Sequence, residues 1–341
     1  ASKGREAGAQ SLPFSEVMNG AGTGDSCSTR WGCLLMLAAM AAGAALLNLL
    51  LAAIVDTNCE RVSFQEWRDV PTVLAPWFDR YVDVFGVKIF ASASADRWAL
   101  QHAARVLARF LDGDEDGRPD EPLGVASMAR VKAAIFLLGS ESEYLDGVAR
   151  VAEQGPRSGI VKNDNPYWNC TVADAWVYSE LFQSEMHREG HRPEGVDDVA
   201  WEELLHLVTH TGLGCAFPKK WGFRADAQRP EAYPPGPNIP RSDLSDALDN
   251  AMGGCWASYS GTQRRKAEGC SFYFTDESCF YPCLANEYLY QVWRTSFGSR
   301  DAFCQGDLRK EFSFCTEALL RSADPRGYSL ATDPMLPRVL P

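Results

Sequence analysis

The segment Trp201-Glu202-Glu203-Leu204-Leu205-His206-Leu207-Val208-Thr209-His210 gathers more chemically capable side chains than any other part of the chain. On a helix turning about 100° per residue, Glu202, Glu203, His206 and His210 fall within roughly one quadrant. Trp201, Leu204, Leu207 and Val208 fill much of the other side. Histidines one turn apart can share a metal, and carboxylates on the same face either ligate it or act as a base. The plain alternative is an amphipathic helix with a solvated polar face. Glu-x-x-His also serves di-iron sites, but those need a second such motif on another helix, and the chain has none.

A second cluster reads Asp112-Gly113-Asp114-Glu115-Asp116-Gly117-Arg118-Pro119-Asp120. Carboxylates at loop positions 1, 3, 5 and 9, with Gly117 at position 6 for a sharp turn, suit an oxygen-seeking cation. The run resembles EF-hand, dockerin and thrombospondin type 3 calcium loops, and its Asp-Gly-x-Pro-Asp ending is most like the last. The resemblance implies calcium held by Asp112, Asp114, Asp116 and Asp120, in a structural role because no second loop pairs with it. It departs from the EF-hand at position 12, where Leu123 stands in place of a bidentate Glu. A solvated acidic turn is the alternative.

The helical segment resembles the active helix of the zincin metallopeptidases, which reads His-Glu-x-x-His. Glu202-Glu203-Leu204-Leu205-His206 matches that motif with its first His replaced by Glu. Downstream, Ala285-Asn286-Glu287-Tyr288-Leu289-Tyr290 is similar to the helix that supplies a glutamate ligand in one zincin branch. The resemblance implies zinc held by His206, Glu287 and either Glu202 or His210, with Glu203 as general base. It covers some five residues and one distant Glu. Two carboxylates and one imidazole would make a poorer Lewis acid of the metal than two imidazoles do. The run from Tyr81 to Leu123 followed by this helix also resembles uncharacterised secreted microbial proteins, which implies no activity.

The elements that must position these residues are legible in outline. The chain has 341 residues, 46% hydrophobic and 23% charged, an ordinary globular composition. Its net charge of −12 disfavours nucleic acid as a partner. Residues 31–55 are an uncharged run between Arg30 and Asp56, long enough for a transmembrane helix; a cleaved signal core is the alternative. Lys3, Arg5 and Arg30 precede the run, so the positive-inside bias leaves a disordered cytoplasmic tail at 1–30. Residues 56–341 then lie in the extracellular space or a lumen, anchored to the lipid bilayer as a single-pass type II membrane protein. Nine of eleven cysteines follow the run, which suits disulfides in an oxidising compartment. Cys59 is the candidate for the odd thiol, and Cys279 and Cys283 offer the remote option of half a zinc site. Asn169-Cys170-Thr171 is a glycosylation sequon.

Within 56–341 the patterning predicts a strand over 84–90, helices over 96–111 and 197–211, a buried strand over 133–138, and a strand around 176–178. Helices over 242–252 and 285–297 follow. Gly212 should stop the 197–211 helix, and five prolines between Pro230 and Pro240 mark a loop. The expected fold class is α+β: a single-pass membrane anchor and one disulfide-bonded, zincin-like ectodomain. The leading functional expectation is metal-dependent hydrolysis of a peptide substrate, stabilised by calcium. The alternative is a non-catalytic membrane glycoprotein that uses a degenerate zincin scaffold to bind a protein partner in adhesion or assembly.

Overall fold

Six strands form one mixed sheet in the order β1-β2-β3-β4-β6-β5 in a computed structural model of the chain: β1 Glu66–Trp67, β2 Arg80–Val84, β3 Val87–Ala91, β4 Ala133–Leu138, β5 Ile160–Lys162 and β6 Trp176–Phe182. The structure describes residues 64–163, 170–172, 174–188, 198–222, 241–255, 269–276, 279, 281–298 and 311–336. The 31–55 run, Asn169, Cys59 and the proline-rich stretch therefore lie outside the described residues. Among the described residues, no helix is long and apolar enough to cross a membrane. Residues Glu66–Pro341 cluster as one unit.

The strand expected over 84–90 is instead the second half of a hairpin. β2 and β3 pair antiparallel with Val84 opposite Val87. Phe85 and Gly86 turn the chain with φ of 53° and 90°, a double left-handed turn whose twist matches a hairpin. Phe is rarely placed at positive φ, so no Asn-Gly or Asp-Gly signal announced the turn. Beyond β3 the sheet is parallel, with β4 between β3 and β6. That position explains the unbroken apolar run of β4, since a central parallel strand is covered on both faces.

Ten helices accompany the sheet in the described residues: α1 Arg97–Leu111, α2 Pro122–Arg130, α3 Glu141–Asp146, α4 Val148–Ala152, α5 Val199–Leu207, α6 Pro218–Trp221, α7 Asp243–Met252, α8 Tyr281–Ser296, α9 Glu317–Ala323 and α10 Pro325–Ala331. Phe90, Phe136, Tyr178 and Ile160 line one sheet face and pack with Phe78, with Tyr144 of α3 and with Val148 of α4. Phe136 and Tyr178 stack at 4.2 Å. α1 packs against β2 and β3, and α5 against β4 and β6.

Gly212 does not end the helix that carries His206. α5 continues through a π turn at Val208–Leu213 and on through Gly214–Ala216. A Cβ at Gly212 would meet Met128 of α2 at 3.2 Å, so the glycine serves the close approach of α2 rather than a helix stop. Disulfides join Cys170 to Cys215, Cys255 to Cys270 and Cys279 to Cys283, and Cys315 is also disulfide-bonded. The Cys279–Cys283 bond corrects the half-zinc-site option, because neither sulfur is a thiolate. The fold is thus mixed helix and sheet with disulfides, as expected.

Candidate metal centre

α5 begins two residues later than the sequence implied, and the N-cap Asp198 is the reason. Its Oδ1 accepts from Ala200 N at 3.1 Å, while Oδ2 lies 2.6 Å from His102 Nε2 on α1. Both side chains are buried, so the helix start is tied to α1 as well as capped. Phe110 of α1, Trp201 of α5 and Trp293 of α8 meet with centroid separations of 5.4–6.2 Å. Thr209 Oγ1 donates to Leu205 O at 2.8 Å and also reaches Asn286 Oδ1 at 3.3 Å, one residue before Glu287. The aromatic trio sets the separation of α5 and α8, and the Thr209–Asn286 contact sets their register.

That clamp brings together residues some eighty positions apart. Glu202, His206 and Glu287 offer ligand atoms that all lie within 4.8 Å of one another. His206 is 7% exposed; its Nε2 is 4.0 Å from Glu287 Oε1 and has no hydrogen-bond partner. Its Nδ1 is 3.8 Å from Glu203 Oε2. Burial alone would depress the imidazole, but Glu203, Glu202 and Glu180 outweigh it and raise its affinity for a proton. Glu287 is pushed well above the carboxylate range by burial first, then by Glu202, with which it shares a hydrogen bond, and by Glu203 and Glu311. A divalent cation would relieve both the acid–acid repulsion and the unmatched Nε2.

His210 goes elsewhere. It sits in the π turn with Nδ1 donating to Asn163 O at 2.9 Å and with Asn163 Oδ1 also in contact. Burial, assisted by repulsion from His206, lowers its pKa to about 3, so the ring is neutral near pH 7. The π turn, absent from an ideal 3.6-residue wheel, accompanies this separation of His210 from the cluster around His206.

Glu180, on β6, is the residue that sequence reading missed. Its Oε1 is 2.5 Å from Lys162 Nζ, and its Oε2 is buried without a hydrogen-bond partner. Burial raises its pKa, Lys162 opposes this, and Glu203 adds to it. The available signal was a lone Glu in the apolar run Trp-Val-Tyr-Ser-Glu-Leu-Phe.

In the acidic loop, Asp112, Asp114 and Asp116 place ligand atoms within 4.8 Å of one another. Asp112 also accepts from Asp116 N and Gly117 N at 3.0 and 2.9 Å, while Glu115 and Gly117 take positive φ to make the turn. Burial raises the Asp112 pKa; those two amides oppose it and Asp116 adds to it. Asp120 stands apart from that trio, accepting from Gly113 N at 2.8 Å and so closing the loop. Leu123 is 62% exposed, and Glu121 caps α2 by accepting from Leu123 N at 3.2 Å.

No family model, curated protein or solved structure matches this chain.

Proposed function

We propose that the protein is a metal-dependent peptide hydrolase in which Glu202, His206 and Glu287 hold zinc and Glu203 is the general base. The observation that carries the reading is His206: a buried imidazole whose Nε2 lacks a hydrogen bond and faces two carboxylates. A buried polar atom left unmatched costs about 1–3 kcal/mol, and a ligand bond removes that cost. Zinc, when bound, supplies Lewis acidity and makes water acidic enough to ionise near neutral pH. In this reading Glu203, whose Oε2 lies 3.8 Å from His206 Nδ1, would receive a proton from water and pass it to a leaving amine. Glu202 and Glu287 bring negative charge that strengthens metal binding and tempers Lewis acidity.

Calcium at Asp112, Asp114 and Asp116, with Asp120 closing the loop, belongs to the same proposal, as does a bilayer anchor at 31–55 with 56–341 outside the cytoplasm. Seven disulfide-bonded cysteines beyond residue 56 support an oxidising compartment. The second reading, a non-catalytic scaffold, draws on His210: turned to Asn163, it adds no second imidazole to the Glu202–His206–Glu287 group.

Elemental analysis of purified protein after equilibration with zinc tests the centre. Wild type should retain about one zinc per chain and His206→Ala none. Glu203→Gln should keep the zinc and lose peptide hydrolysis. Wild type that holds no zinc removes the hydrolase reading and leaves the scaffold.

A further inference from the structure

Three of the five large hydrophobic side chains exposed among the described residues gather on one side of the sheet: Trp67 at 48%, Val73 at 39% and Leu145 at 52%. Trp67 pairs with Tyr81 across β1 and β2, and the Tyr81 ring lies 5.3 Å from Phe90 in the aromatic cluster. Glu66, one residue earlier, points to the other face, where its Oε1 meets Arg97 Nε of α1 at 2.6 Å. Leu74 and Tyr144 are buried in the aromatic cluster, and Val73 and Leu145 are their exposed chain neighbours. A Cβ at Gly147 would meet Trp77 Nε1 at 3.0 Å, so half-buried Trp77 lies between the segment carrying Val73 and the helix carrying Leu145.

The candidate metal centre is on the opposite side. Successive side chains alternate along β6, so Ser179 faces away from Tyr178 and its cluster. Asn163 Nδ2 donates to Ser179 Oγ at 2.5 Å, and Asn163 also contacts His210 in the π turn that continues α5. α5 therefore covers the face that the aromatic cluster leaves, and α8 follows it through Thr209 and Asn286.

Chain length argues for what covers the apolar side. Eight residues link Val55, the end of the uncharged run, to Phe64, a reach of at most about 30 Å. A domain tethered that closely to a bilayer cannot hold all of its surface clear of lipid. Tryptophan is favoured at the boundary between water and hydrocarbon, and an exposed apolar patch marks a contact surface. Charges beside the patch are mixed: Arg68, Arg150 and Asp146 are exposed, and the last two face each other at 3.5 Å. With a chain charge of −12, this side has no electrostatic reason to prefer anionic lipid.

We propose that Trp67, Val73 and Leu145 seat this side of the sheet on a zwitterionic bilayer surface, with the candidate metal centre turned away from the lipid. The inference rests on the reading of 31–55 as a bilayer anchor.

Photocrosslinking of the full chain in phosphatidylcholine vesicles tests it. A benzophenone amino acid is placed at position 145 or, as a control, at position 319, an exposed leucine of α9. Position 145 should form lipid adducts at least about fivefold more often than position 319. Trp67→Glu with Val73→Asp should cut the adduct at position 145 about fivefold or more. The melting temperature should not move, because both substituted side chains are exposed. Equal adducts at positions 145 and 319 overturn the proposal. So does a yield at position 145 indifferent to the two acidic substitutions, which would reflect the tether alone. A severalfold rise when phosphatidylserine is added overturns the zwitterionic assignment. Alkaline carbonate reads the anchor separately. A chain stripped from the vesicles loses the anchor and this inference with it, whereas one that resists stripping but fails at position 145 loses the docking alone.

Discussion

Acidification should expose His210 as a built-in weakness of the fold. Its ordinary pKa of 6.5 falls to about 3 in the folded chain, chiefly through burial. The unfolded chain therefore takes up a proton on this side chain as pH drops below about 6.5, while the folded chain does not until about pH 3. A depressed base loses stability over that window and regains none of it below. Each pH unit costs about 1.4 kcal/mol, so pH 5 removes about 2 kcal/mol and the whole interval about 5 kcal/mol. His206 and Glu287, both raised, drift the opposite way, so wild type alone does not isolate the effect. The comparison is urea unfolding of wild type and His210→Gln in zinc-free buffer from pH 7.5 to pH 4.5. Glutamine retains a donor for Asn163 and cannot titrate. The gap between the two proteins should close by about 2 kcal/mol between pH 6.5 and pH 5. Parallel curves would refute the assignment of a neutral, buried ring to His210.

Trp201→Ala should cost about 3–5 kcal/mol, as for a buried aromatic truncated at a helix contact, and weaken zinc binding by loosening α5 from α8; calorimetry and zinc titration read the two effects. Gly212→Ala should cost about 1–3 kcal/mol because the added methyl meets Met128, and Met128→Ala in the same chain should recover part of the thermal stability. Chelation of calcium should lower the melting temperature of wild type, since a ligand at a hundred times its dissociation constant stabilises by about 2.7 kcal/mol; Asp114→Ala should lack that response, and a wild-type melt indifferent to chelator removes calcium from the loop.

Period and burial made parts of the fold readable in advance. β4 was visible because a central parallel strand must be apolar throughout, and α1 because its buried residues recur at helical spacing. The hairpin at Phe85-Gly86 was not, since its turn uses a bulky residue at positive φ. Gly212 misled for a related reason. A glycine advertises freedom in its own backbone, yet here it is needed for the side chain of Met128, and nothing local to residues 208–214 announces that neighbour. In the candidate centre, Glu202, Glu203 and His206 followed from helical periodicity, whereas pairing with Glu287 needed a resemblance. Glu180 depended on a strand and a tertiary approach that no spacing encodes. An ideal wheel groups His210 with His206, whereas in the π turn His210 contacts Asn163.

The disulfides differ in what they ask of the chain during maturation. Cys279 and Cys283 are four residues apart, so their thiols meet without any of the sheet in place, and closing so short a loop restricts the unfolded chain by only about 2 kcal/mol. Cys170 and Cys215 are 45 residues apart and bracket β6 and α5, a loop worth about 4 kcal/mol on the same basis. One bond is a local event, and the other records that the strand carrying Glu180 has met the helix carrying His206. In oxidative refolding the short loop should close early and reversibly, while the Cys170–Cys215 bond appears with the native fold. Docking of β6 with α5 and oxidation of that pair are therefore linked in time, while Glu287 joins from outside that loop.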